Sequence, residues 1–167
     1  MQTNFLEELV AEWFEYKGYI VKRNERVGRR AAGGHEGELD VVAFNPKTRH
    51  LIHVETSTDA DSWAGREKRF FKKFSTGAKH IKAVFDGLNV PDEIEKKAIF
   101  AFGSDKNHKT VGGGKVVLAE DFILEILRGL KQVSFLSRAV PEKYPILRVI
   151  QMITEHRMKV VEELKQT

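Results

Sequence analysis

The sequence predicts an α/β domain built on a mixed sheet with helices on its faces. Three observations predict it. Apolar residues recur at helical spacing over 5–17, three strand-like runs follow between 19 and 56, and helical spacing then returns before two further short apolar runs. At 167 residues the chain has the length of one ordinary domain and can bury a core without staples.

Asn4 is placed to cap the first helix, in which Leu6, Leu9, Val10, Trp13 and Phe14 share a face, and Gly18 ends it. Tyr19, Ile20 and Val21 begin a strand that runs into basic residues. The glycine-rich stretch 28–37 reads as a loop. Residues 39–44 and 51–56 are strands joined by the turn Asn45-Pro46-Lys47-Thr48, which makes an antiparallel hairpin. A helix is expected over 63–88, with a break near Ser75–Gly77. Strands are expected over 97–102 and 115–118, and a helix over 121–130. Pro141 and Pro145 mark a connection to a last long helix over 146–165. The expected organisation is one domain over 1–135 and an added C-terminal helix over 143–167, used for packing or for dimerisation.

Composition narrows the function classes. Apolar residues make up 41% and charged residues 31%, the balance of a globular protein. No cysteine is present, which excludes disulfides and thiolate metal sites and fits a cytoplasmic protein. The acidic, amphipathic start is unlike a signal peptide, and no apolar run approaches the roughly 18 residues of a membrane span. A membrane partner is therefore not expected.

The net charge of +4 is unevenly spread. Lys17, Lys22, Arg23, Arg26, Arg29 and Arg30 precede an acidic stretch with Glu36, Glu38, Asp40, Glu55, Asp59 and Asp61. Arg66, Lys68, Arg69, Lys72, Lys73, Lys79 and Lys82 follow it. Cations on both sides of a carboxylate cluster suit a grip on a polyanion and on a divalent cation, although solvated charged faces produce the same pattern.

Asp40 and Glu55 carry the chemistry. Each is an acid on an otherwise apolar strand, where an ionised carboxylate is costly unless paired or metal-bound. Alternation puts Glu38 and Asp40 on one face, and His53, Glu55 and Ser57 on one face, and a tight hairpin brings the two together. Oxygen ligands of this kind favour Mg²⁺ or Mn²⁺ over zinc. Ion pairs with Arg or Lys fit the same spacing. His53 and, less directly, His35 are candidate proton relays, with a hydrogen-bonded core histidine as the plainer reading of His53. The Gly112-Gly113-Gly114-Lys115 run lacks the spacing and following helix of a phosphate-binding loop.

The run Gly37-Glu38-Leu39-Asp40-Val41-Val42-Ala43-Phe44, the turn, and His53-Val54-Glu55-Thr56-Ser57 resemble the core of PD-(D/E)XK nucleases, which have a restriction-endonuclease-like fold. The likeness is greatest to the Mrr-like and archaeal Holliday-junction-resolvase branches and covers residues 4–102. It implies a DNA endonuclease with Asp40 and Glu55 as metal ligands and Thr56 offering its backbone carbonyl. Glu7 stands where resolvase-like branches keep a glutamate ahead of the Gly-aromatic pair, here Gly18-Tyr19. It also fits a solvent-facing acid near a helix N-terminus.

The departure is Ser57, where the family has a lysine. Either Lys72 or Lys73 from the next helix reaches the site, or catalysis is lost and the domain only binds DNA. Arg29 and Arg30 on the loop, with Arg66, Lys68 and Arg69 on the helix, are the expected phosphate contacts, and Phe70, Phe71 and Phe74 the core anchors of that helix. A protein-interaction domain assembling through the last helix, with a homodimer as the product, is a third reading.

Overall fold

The computed structural model of the chain describes residues 4–166, and in it Asn4 caps helix α1 (Phe5–Tyr16), its side chain accepting from the Leu6 N–H at 3.0 Å. Gly18 leaves the helix at φ 86°, a conformation glycine adopts without strain. Arg23 then ties the next strand back to α1, bonding Glu8 at 2.9 Å and Glu15 at 2.8 Å.

The architecture is α/β, with five helices and a six-stranded mixed sheet among the described residues. Strands β1 (Ile20–Arg29), β2 (His35–Asn45) and β3 (His50–Ser57) are antiparallel neighbours. Helix α2 (Trp63–Val84) crosses over to β4 (Glu95–Phe100), which lies parallel to β3. Strand β5 (Thr110–Val111) and β6 (Gly114–Leu118) complete the sheet in the order β1-β2-β3-β4-β6-β5. The chain divides into two compact units, Met1–Ala119 and Glu120–Thr167.

Several local expectations are corrected. The loop expected over 28–37 is confined to residues 30–34, with strand on both sides, because Gly28, Gly33 and Gly34, all at positive φ, let the chain reverse there. Strand β4 begins and ends two residues before the expected 97–102, so Phe102 lies outside it and is exposed. The short β5 was not expected. It is closed by Gly112 and Gly113 at φ 55° and 80°, the backbone of a two-residue hairpin turn. Gly112 is required there, since a Cβ would lie 2.3 Å from the Phe71 backbone nitrogen. That same helix turn leaves Phe71 exposed, while Phe70 and Phe74 are core as expected.

Helix α2 is unbroken at Ser75–Gly77. Gly77 serves packing instead, for a Cβ there would lie 2.3 Å from His53 Nδ1 and 2.4 Å from its Cε1. An exposed helical Gly→Ala change stabilises by roughly 0.5–1 kcal/mol. Gly77→Ala is expected to do the opposite and cost about 1–3 kcal/mol, the range for overpacking. Urea unfolding of the variant reads the sign directly.

In the second unit, α3 (Ala119–Leu130, which begins at the boundary) buries Phe122, Ile126 and Leu130. The expected single last helix is two, α4 (Pro145–Glu155) and α5 (Arg157–Leu164). Thr154 Oγ1 donates back to the Gln151 carbonyl at 2.7 Å and Arg157 donates to the Thr154 carbonyl, contacts that bend a helix at this point. Buried Gln151 holds the preceding loop, accepting from the Val140 N–H and donating to the carbonyls of Val133 and Arg138. Among the described residues, no helix is long and apolar enough to cross a membrane.

Candidate active site

The register of the β2–β3 hairpin builds the site. Val42 pairs with His53 and Val41 with Val54, so the next facing position sets Asp40 against Glu55. Both carboxylates project toward α2, on the side where Phe44, Leu51, Ile81 and Phe85 form a core cluster. Lys73, extending from α2, lies between them. Its Nζ bonds Asp40 Oδ1 at 2.6 Å and makes a short contact with Glu55 Oε2. Lys72, one residue earlier, is exposed and lines the cleft without joining this contact.

Each carboxylate has its other oxygen satisfied by the protein. Asp40 Oδ2 accepts from the Thr56 N–H at 2.8 Å and more weakly from its hydroxyl. Glu55 Oε1 faces His53 Nε2 at 2.6 Å and accepts from the Asp40 N–H. His53 is fully buried, edge-on to Phe74, and its Nδ1 has no hydrogen-bond partner among the described residues. It acts on Glu55, not on the open cleft. His35 is exposed near the ribbon tip.

The electrostatics split the pair. Burial, and then the facing Glu55 charge, push Asp40 up to about 7 against the pull of Lys73. Burial works to raise Glu55 too, but hydrogen bonding from His53 and the Lys73 charge outweigh it and hold Glu55 below its ordinary value. Burial works to lower Lys73, and the two carboxylates overcome it and raise it. Glu7 on α1 belongs to this field. Burial raises it, and the charges of Lys73, Glu55 and Glu38 all act on it.

Ser57 is buried and its hydroxyl accepts from Arg69 at 3.1 Å. Arg69 sits one helical turn before Lys73, and Asp59 grips its guanidinium through both carboxylate oxygens, at 2.7 and 3.2 Å. Arg69 hydrogen bonding is the main cause holding Asp59 down at about 2. A guanidinium thus stands against the Ser57 hydroxyl, one helical turn from the Lys73 ammonium. Arg69, Lys72 and Lys73 line a cleft of about 470 Å³ together with Glu38 and Asp40.

Arg66 is a correction. Expected on the phosphate-facing side, it is buried, lies over the rings of Trp63 and Phe100, and donates to the carbonyls of Asp59 and Phe102. Lys68, Arg29 and Arg30 are exposed, the arginines at the ribbon tip. Sequence reasoning missed Asp59 as the holder of Arg69, because an acid in an irregular turn carries no periodic signal.

A divalent cation fits the donor set. Asp40 Oδ1 and Glu55 Oε2 are hard oxygens that already converge on one cationic atom, and Thr56 is adjacent. Among the described residues no three of His, Cys, Asp or Glu gather in a metal cluster, so two carboxylates would be supplemented by a carbonyl and water, a common arrangement for Mg²⁺. No protein-family model matches the chain, and no curated protein matches it.

Proposed function

We propose that the chain is a metal-dependent nuclease of the PD-(D/E)XK class, with a restriction-endonuclease-like core and its lysine relocated from the strand to the following helix. Within that class its nearest likeness is to the Mrr-like and Holliday-junction-resolvase branches, and its substrate is DNA. The observation that carries the reading is the meeting of Lys73 Nζ with both Asp40 and Glu55. Ser57 cannot supply that cation, and a side chain from α2 does.

Asp40, Glu55 and the Thr56 carbonyl would hold Mg²⁺ or Mn²⁺, which when bound polarises a phosphate oxygen and lowers the pKa of coordinated water. The chain's own residues do the rest. Arg69, fixed by Asp59, presents a guanidinium to a phosphate oxygen in the cleft. Lys73, about 30% exposed, moves off one carboxylate to meet the phosphate and the attacking water. His53 keeps Glu55 ionised and oriented. Arg29, Arg30, Lys68 and Lys72 add phosphate contacts along the strand.

A second reading is a DNA-binding module without catalysis. Its support is that Lys73 already satisfies both carboxylates without a metal. Cleavage of plasmid, single-stranded and branched DNA with Mg²⁺ or Mn²⁺ separates the two. We expect metal-dependent nicking. Salt-sensitive DNA binding with no cutting of any substrate would leave the module and remove the nuclease.

A further inference from the structure

We infer that Phe102 is a stacking surface for the nucleobase beside the phosphate handled at Asp40, Glu55 and Lys73, so that the substrate strand carries an unpaired base there. The inference rests on the nuclease reading above and names its substrate class.

A single exposed aromatic ordinarily needs no explanation. Phe102 differs in where it stands and in what holds it. Strand β4 runs parallel to β3 with Phe100 opposite Ser57, and the Ala101 N–H donates to the Ser57 carbonyl at 2.9 Å. The chain therefore leaves the sheet at the edge where Ser57 and the start of α2 lie, the edge where ligands of such sheets bind. Phe102 follows at once, 63% exposed.

Its backbone is fixed at some cost. Arg66 Nη2 donates to the Phe102 carbonyl and to the Asp59 carbonyl, each at 3.0 Å. Arg66 is 3% exposed and its Nε has no partner among the described residues, an expensive way to place a charge. Gly103 makes room for it, since a Cβ there would lie 2.9 Å from Arg66 Nη1. Asp59 also grips Arg69 in the cleft. One residue thus ties the phosphate-facing guanidinium to the backbone that carries the ring. The neighbouring Trp63 is already stacked on His108, with centroids 4.2 Å apart, so of these two rings Phe102 is the one left open.

Every base has a π face, so a fixed aromatic ring takes any of them. Bases inside a duplex are already stacked, so the ring serves a strand whose base is free. Single strands, flaps and branch points have such bases.

The test compares wild type, Phe102→Ala and Phe102→Trp on a 2-aminopurine oligonucleotide, single-stranded and as a duplex. Binding is followed by fluorescence in EDTA and cleavage in Mn²⁺. We expect Phe102→Ala to bind the single strand about tenfold more weakly, with duplex affinity little changed and the loss in cleavage carried by KM. Phe102→Trp should restore binding. Equal affinity of Phe102→Ala and wild type for the single strand, equal losses on both DNAs, or a change confined to oligomeric state by sedimentation would overturn the inference while leaving the nuclease reading intact. Wild type that neither binds nor cuts either DNA removes both. Phe102-dependent binding without any cutting supports the stacking contact and removes only the catalysis.

Discussion

Lys73→Met should abolish metal-dependent cleavage, with a loss of about 10²–10³-fold, the usual effect of deleting a cation that meets transition-state charge. It should also expose the cation site in a measurement that needs no substrate. In the wild type, Lys73 separates two carboxylates, of which Glu55 is fully buried and Asp40 nearly so. Without it they face each other unscreened. Removing one partner of a buried pair costs roughly 3–5 kcal/mol, and the partial exposure of Lys73 sets the expectation near the lower end. At pH 8 in EDTA the variant should melt about 6–12 °C below wild type. Adding Mn²⁺ should return most of that loss and should stabilise the variant more than it stabilises wild type, where the ammonium competes for the same oxygens. A variant that melts like wild type and ignores Mn²⁺ would mean that Asp40 and Glu55 do not form one cation site.

The conjunction of Asp40 and Glu55 was legible because strand alternation and a short turn are local rules. With the turn at 45–49 the register follows, and the two acids must face each other. The sequence also offered Lys72 and Lys73 as the cations that could reach the acidic pair. It could not choose between them, because neighbouring helical positions point about 100° apart and the choice depends on how α2 is rotated over the sheet. That rotation is set by Phe70, Phe74 and Ile81 going into the core, and by Gly77 admitting His53.

The misreadings share a physical cause. Arg66 has the sequence signature of a surface cation, yet the Phe100 ring and the Phe102 carbonyl, from a distant segment, help Trp63 and the Asp59 carbonyl to bury it. Phe71 and Phe102 have the signature of core residues and are exposed. Gly77 resembles a helix breaker and is a packing notch. For Arg66 and Gly77 propensity states a local preference, and a contact far along the chain overrides it. The acidic pair escapes this because both of its members lie within one hairpin.

Asp40→Asn is expected to remove cleavage by about 10³-fold or more, since it takes away a charge that would hold the cation. In the absence of metal it should make the protein more stable at pH 8. The sign follows from the carboxyl being raised from 3.8 to about 7 by burial and by Glu55. A group raised on folding holds its proton in the native state while the unfolded chain has lost it. Its contribution is therefore fully present below about pH 4 and is lost as pH rises through about 7. Above that, the native protein carries a buried charge costing at most about 4 kcal/mol. Asparagine has no charge to bury, but it forgoes the bond to Lys73, so the net gain should be about 1–2 kcal/mol. Melting in EDTA should show the variant ahead at pH 8 and the gap closing toward pH 5. A variant less stable than wild type at pH 8 would make the Asp40–Lys73 pair a structural ion pair held for its own sake. A more stable one shows a carboxylate kept against the interest of the fold, the mark of a residue retained for what it binds.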